Sequence, residues 1–521
     1  SFIALFSNFF ISLDSDFNTF IFILGIFIFL IIQKNRNYNL LFSRELFVFL
    51  IICSVGIFLF LVLSNIYRPD AGLYHYPYSN ILNENKIIIG ISNLHQRFGH
   101  VSILQYLNSL HFNYFFGLNG IVFPAACIAI YVITNFLSNI SRLKTLSISK
   151  LFSILILFYI CFKMNRYGEY GNDAIGHFTL FIIVSLYLNF REKNLAISEE
   201  KIIYLIFALS VFAFLNKTFL IFVLLTPLLI SPYFTLKNIL NIKMIFISFF
   251  FISWLVKNIL TTGCLIYPMP ITCFELAWTN FNYESNVYEV AVGSEAWAKD
   301  WSNQKNNILN YSEYLKDFIW IEFWLQNQFV EILSILIPYL AIIIIFIISL
   351  YYFKITNKKK LKGAYLFSDY FPLLSLIFFG IVIWFLKGPI YRYGYSYIIS
   401  FIALFSSIIL FKIFHNFEKN RLKKITNSII CLALIVLLGK QSIRIYDKYD
   451  DYYYNYPWPK FYSFEIDNRK ITVKKIYKNE NFLYYRSINS YCFYSSSPCT
   501  SVEVDNNLKK RRKFNYIIYY F

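Results

Sequence analysis

The chain has 521 residues, of which 58% are hydrophobic and 15% charged, and its formal net charge is +19. A soluble domain of this size needs far more polar surface to cover its core. The basic residues sit in short loops between apolar runs, where they act as topology signals and meet anionic lipid, and no nucleic-acid-binding module is visible. No phosphate-binding glycine-rich loop, Cys-x-x-Cys motif or nucleotide fold is present, which points away from an ATP-driven machine.

About 20 apolar residues cross a bilayer as a helix, and Lys and Arg mark the cytoplasmic loops. The first spans lie near 17–33 and 45–64, with Lys34, Arg36 and Arg44 inside, so that 65–114 is an outer loop. A span near 115–138 returns to Arg142, Lys144 and Lys150. Spans near 151–163 and 175–190 enclose the outer loop Met164–Ala174, and Arg191, Lys193 and Lys201 follow inside. The stretch 202–232, interrupted by Asn216, Lys217 and Thr218, is expected to be a hairpin of short helices with Lys217 at its outer turn. A span near 244–260 leads to a second large outer loop, 263–328. The span 330–352 ends at Lys354, Lys358, Lys359, Lys360 and Lys362. Spans 371–386 and 397–413 bracket the outer loop Lys387–Ser396, and a last span, 426–440, follows the inner Lys419, Arg421, Lys423 and Lys424. The expected fold class is an all-α polytopic membrane protein of about 12 transmembrane helices with large extracytoplasmic loops. Residues 1–440 form the transmembrane domain, and 441–521 an extracytoplasmic C-terminal tail or small domain.

The outer loops concentrate residues that are costly near lipid. Asp70, just past a span, suits a general base toward an acceptor hydroxyl or a helix N-cap. His75 binds a ligand or packs in the loop. Arg97, between His95 and His100, suits an anion site. Zinc is disfavoured there, because no carboxylate or Cys joins the histidines at a ligand spacing. Glu169, Asn172 and Asp173 share the next outer loop. Asp173 is either a second acid, which binds a divalent cation such as Mg or Mn or orients a donor, or a loop residue. Lys217, Lys257 and Arg392 lie at outer helix ends, on the wrong side for topology signals, and suit a lipid-linked phosphate; snorkelling is the alternative. Cys264 and Cys273 share one outer loop and Cys492 and Cys499 share the tail, which makes each pair a disulfide candidate.

The order of these features resembles the GT-C class of membrane glycosyltransferases. The carriers of the resemblance are Asp70 in the first outer loop, Asp173 in the next, and Phe214-Leu215-Asn216-Lys217-Thr218 at an outer helix turn. The segment from Lys257-Asn258 through Gly263 to Tyr267-Pro268 is similar to an "R-N-x-x-x-x-G-x-x-x-Y-P" segment, with Lys in place of Arg. The segment from Trp384-Phe385 through Pro389, Arg392 and Gly394 is similar to "W-F-x-x-x-P-x-x-R-x-G". "AGLYHYP", "ISNLHQRFGH" and "CFYSSSPCT" resemble a family of large bacterial membrane proteins of unassigned function near that class. The chain departs from the class in having two spans before Asp70 and a lone acid there.

The resemblance implies transfer of a sugar from a polyprenyl-phosphate carrier to a glycan, lipid or protein acceptor, on the extracytoplasmic side of a bacterial inner membrane. Asp70 is then the base, and Lys217 and Arg392 bind the departing phosphate. The loop 93–100 and Trp278, Trp297 and Trp301 shape the sugar site. Two other readings stay open: an O-antigen-type polysaccharide polymerase or ligase, and a transporter or flippase.

Overall fold

The computed structural model describes residues 1–36, 44–64, 70–142, 145–162, 173–193, 198–233, 241–279, 283–303, 309–352, 367–414, 419–447, 465–466, 469–470, 473–479, 482–488 and 491–521. Its helices are α1 (Phe2–Asn8), α2 (Ser15–Arg36), α3 (Arg44–Ser64), α4 (Tyr76–Glu84), α5 (Ile103–Ser109), α6 (Phe123–Arg142), α7 (Ile148–Phe162), α8 (Asp173–Arg191) and α9 (Glu199–Asn216). They continue with α10 (Ile242–Thr262), α11 (Tyr283–Ala298), α12 (Tyr311–Tyr314), α13 (Trp320–Gln326), α14 (Gln328–Tyr352), α15 (Phe371–Lys387), α16 (Tyr391–Phe414) and α17 (Lys419–Asp447).

Among the described residues, seven helices are long and apolar enough to cross a membrane, and four shorter apolar helices accompany them. The distribution of side chains explains why this sequence cannot be a soluble bundle. Phe20, Ile23, Phe27 and Ile28 of α2 point outward, as do Ile344, Ile345 and Ile348 of α14. Exposed to water, such surface costs about 25 cal/mol per Å²; facing lipid, it costs nothing. The inner helices are the reverse case: nearly all of α7 and α8 is buried, around Leu151, Phe152, Phe178 and Phe181. The chain is a helical membrane protein.

The hairpin expected over 202–232 consists of α9 and a 3₁₀ stretch, Thr218–Tyr233, with Lys217 in an extended conformation between them. The outer loop expected at Lys387–Ser396 shrinks to residues 388–390, and Arg392 falls in the first turn of α16. Trp384 makes the corner this tight. Its indole nitrogen donates to the Ile390 carbonyl at 2.8 Å, and its ring lies where a Cβ on Gly394 would come within 2.3 Å of it. Only glycine permits that approach.

At the end of the bundle away from Asp173, a buried polar network ties α6, α7 and α8. The Glu192 carboxylate accepts from the backbone N–H of Ile148 at 2.6 Å and of Ser149 at 3.3 Å. Asn139 Nδ2 donates to Ser149 Oγ at 3.2 Å and to Ser153 Oγ at 2.7 Å, and Ser149 Oγ donates to Asn189 Oδ1 at 2.8 Å. The first N–H groups of a helix need partners; at the start of α7 Glu192 takes those of Ile148 and Ser149, and Ser147 Oγ takes that of Lys150 at 3.1 Å.

The C-terminal segment departs from an all-α description. It contains β1 (Glu465–Ile466), β2 (Arg469–Lys470), β3 (Val473–Asn479), β4 (Phe482–Ser487), β5 (Cys499–Thr500), β6 (Lys509–Lys513) and β7 (Tyr516–Tyr520). β3, β4 and β5 form one sheet, and β6 and β7 a hairpin whose two turn residues, Phe514 and Asn515, both have positive φ, as a type I′ turn requires. The segment packs on the first loop: Tyr519 N–H donates to the Ile89 carbonyl and Ile89 N–H to that of Ile517.

Candidate functional site

Two acid–base pairs meet where α8, α9 and α16 approach the first loop. Asp70 precedes a π-helical turn, Ala71–His75, that runs directly into α4. Its Oδ2 lies 3.3 Å from Arg392 Nη1, and both side chains are partly open, at 41% and 36% exposure. Asp173 begins α8, where the helix dipole favours a carboxylate. It is bonded by the Lys217 ammonium, and this pair is sunk, with side chains 19% and 7% exposed.

Arg392 joins the pairs through two different parts of itself. Its backbone carbonyl accepts from Lys217 Nζ at 3.0 Å and from His177 Nε2 at 2.8 Å. A carbonyl only accepts, so His177 carries its proton on Nε2, and its Nδ1 accepts from Ser396 Oγ at 2.6 Å. The Arg392 side chain is left to face Asp70. The Tyr393 ring lies against both cations, 4.4 Å from Lys217 Nζ and 5.2 Å from the Arg392 guanidinium.

His75 is set by a chain of three contacts. Ser102 caps α5, and its backbone N–H donates to Gln105 Oε1 at 3.0 Å. That fixes the Gln105 amide so that its Nε2 donates to His75 Nδ1 at 3.0 Å. The His75 proton is therefore on Nε2. Burial pushes the ring down to about 4 against the pull of Asp70 and Asp173, so it is neutral at pH 7. Burial, and then the Asp70 charge, push the neighbouring Tyr74 hydroxyl far above its usual range.

Arg97 differs from Lys217 and Arg392. Its guanidinium lies 5.9 Å from the Tyr74 ring, and among the described residues no carboxylate pairs with it. Among the described residues of these contacts, two carboxylates, Asp70 and Asp173, stand against three cations, Lys217, Arg392 and Arg97, an excess of one positive charge with His75 neutral.

The remaining expected site residues lie apart from these contacts. The Lys257 ammonium is buried in α10, donates to the Val101 carbonyl at 3.4 Å and lies 5.3 Å from the Trp254 ring. His95 serves the loop itself: its Nδ1 accepts from Arg97 N–H at 3.0 Å, and its Nε2 meets Ser501 Oγ at 3.4 Å. His100 is also held neutral by burial, pushed down to about 3. Cys264 is bonded to Cys273, and Cys492 to Cys499. Trp301 Nε1 donates to the Leu309 carbonyl at 2.8 Å, while Trp297 is half exposed. Glu169 and Asn172 lie outside the described residues.

Among the described residues, Asp70 and Asp173 do not by themselves make a divalent-cation site. Asp70 and Asp173 are each committed to a cation, and among the described residues no three His, Cys, Asp or Glu side chains gather around one point. Sequence reading missed His177, Tyr74, Tyr393 and Gln105. For His177 a signal existed, since it lies four residues after Asp173 and therefore on the same helical face.

A family model described as a domain of unknown function, DUF8201, matches residues 1–399. The chain belongs to the DUF8201 family. That stretch contains Asp70, Arg97, Asp173, Lys217 and Arg392, whereas the strands of the C-terminal segment follow it. No curated protein and no solved structure matches the chain.

Proposed function

We propose that this DUF8201 protein is a membrane glycosyltransferase that moves a sugar from a polyprenyl-phosphate carrier to a glycan, lipid or protein acceptor. In this reading the helices form about twelve spans in a GT-C-like arrangement. The site opens on the extracytoplasmic face of a bacterial inner membrane. The observation that carries the proposal is the partly open Asp70–Arg392 pair, with the Arg97 guanidinium, which has no carboxylate partner among the described residues, on the neighbouring Tyr74.

Asp70 accepts the proton of the acceptor hydroxyl as its oxygen attacks the anomeric carbon from the side opposite the phosphate. The bond between that carbon and the phosphate oxygen breaks, and the electron pair leaves with the phosphate. Configuration inverts. The lipid phosphate changes from a diester with one negative charge to a monoester that gains a second. Arg97 and the Arg392 guanidinium, released from Asp70 as that carboxylate is protonated, stabilise the new charge. Lys217 fixes the frame through Asp173 and the Arg392 carbonyl.

The test uses the full chain in lipid nanodiscs, with a panel of polyprenyl-phosphate sugars. Asp70→Asn is expected to abolish sugar transfer while binding of polyprenyl phosphate persists. Transfer that survives this substitution overturns the role of Asp70 and favours a polymerase or ligase reaction. Absence of both transfer and carrier binding in the wild type overturns the proposal.

A further inference from the structure

We infer that the disulfide-closed loop Cys492–Cys499 positions Asp70 and His75, with Phe493 as the positioning residue. The inference concerns the geometry of the site and goes beyond the proposed reaction, since it holds for any ligand that the site takes.

Asp70 leads into, and His75 ends, a π-helical turn at the start of α4, and such turns are local departures from regular helix geometry that are uncommon without outside support. The C-terminal loop supplies what the turn lacks. The backbone N–H groups of Cys492 and Phe493 both donate to the Gly72 carbonyl, at 3.0 and 2.9 Å. The Phe493 ring lies flat against Gly72, where a Cβ would come within 2.7–3.0 Å of three of its carbons. Phe493 is buried and in the left-handed region, at φ 46°. A phenylalanine stays there only when its surroundings over-determine it.

Two further contacts pin the same loop to the helix after the turn: Asn80 Nδ2 bonds the Ser495 carbonyl, and Tyr494 OH donates to Asn83 Oδ1 at 3.1 Å. The disulfide between Cys492 and Cys499 closes the loop, and Cys499 lies in β5, which pairs with β4. The loop is therefore a rigid staple anchored in a sheet, with one aromatic ring pressed on the residue two positions after Asp70. The staple comes from outside the stretch that the family model matches.

The test compares Phe493→Ala, Phe493→Leu and the pair Cys492→Ser with Cys499→Ser, in the full chain in nanodiscs, by hydrogen exchange. Peptides within 70–83 are expected to exchange about ten-fold faster or more in Phe493→Ala and in the serine pair, with α8 and α10 unchanged. Phe493→Leu, which retains an apolar side chain on Gly72, is expected to recover most of the protection. In a transfer assay, Phe493→Ala is expected to lower kcat while KM for the lipid carrier stays the same, because the phosphate-binding cations remain in place. Unchanged exchange over 70–83 overturns the inference. So does an equal acceleration in α8 and α10, which marks a general stabiliser instead of a positioning element. If the wild type transfers no sugar, the proposed reaction fails, and the exchange arm still decides the role of the loop.

Discussion

The two ion pairs of the site have the same chemistry and opposite surroundings. Asp173–Lys217 is sunk among helices and tied to the backbone of α16, whereas Asp70–Arg392 is more than one-third open on both sides. Burial makes a pair structural, because breaking it strands a charge away from water. Exposure makes a pair replaceable, because solvent or a ligand takes the place of either partner at small cost. The sunk pair thus reads as the frame and the open pair as the place where something else binds.

The sharpest way to break that comparison is Asp70→Asn. General-base catalysis contributes about 10²–10⁴-fold, and a loss of transfer in that range is expected, with the thermal midpoint in detergent unchanged. Lys217→Ala attacks the frame instead. It leaves the Asp173 carboxylate buried without its cation, and a loss of about 3–5 kcal/mol of stability is expected by denaturant or thermal titration. An equal loss in Arg392→Ala removes the distinction between the pairs.

Acidification probes the first loop. Burial holds His75 and His95 down at about 4, below the usual imidazole value of about 6.5. Between those values the unfolded chain binds more protons than the folded one, so the stability is fully present above about pH 6.5 and is lost as pH falls toward 4. Hydrogen exchange over residues 70–100 is expected to accelerate across that window, and less so in His75→Gln. Arg97→Ala is expected to weaken binding of polyprenyl phosphate about ten-fold, read by titration, without a change in stability. The smallest effect belongs to Arg392→Ala, at about 1 kcal/mol or less of stability, because its structural contacts run through the carbonyl that alanine keeps.

The helical body was legible in the sequence because lipid imposes a simple rule: apolar outside, charges at the ends. Lys217 stood out as a turn because Asn216 and Thr218 interrupt the apolar run on either side of it. The pairing of acids with cations was not legible, since Asp70 and Arg392 are 322 residues apart and meet through tertiary packing alone. Arg392 was expected in a loop because it lies between the apolar runs 371–386 and 397–413; Trp384 against Gly394 tightens the corner and winds the arginine into α16. Lys257 looked like its equal by position, but α10 buries it against Trp254. The tail gave only its cysteines; that it seats on Gly72 follows from shape, which residue order does not reveal.

The knot of Asn139, Ser149, Ser153, Asn189 and Glu192 has a mechanical consequence. It lies at the far end of α8 from Asp173, and the 19 residues of that helix measure about 28 Å. A solute threading between α6, α7 and α8 would have to unpick every one of those contacts, at about 1–3 kcal/mol for each polar group left stranded. A molecule arriving at Asp70 disturbs none of them. At that end the seam between α6, α7 and α8 is closed, so the polar contacts that hold these three helices together are separate from those that a ligand of Asp70 would meet.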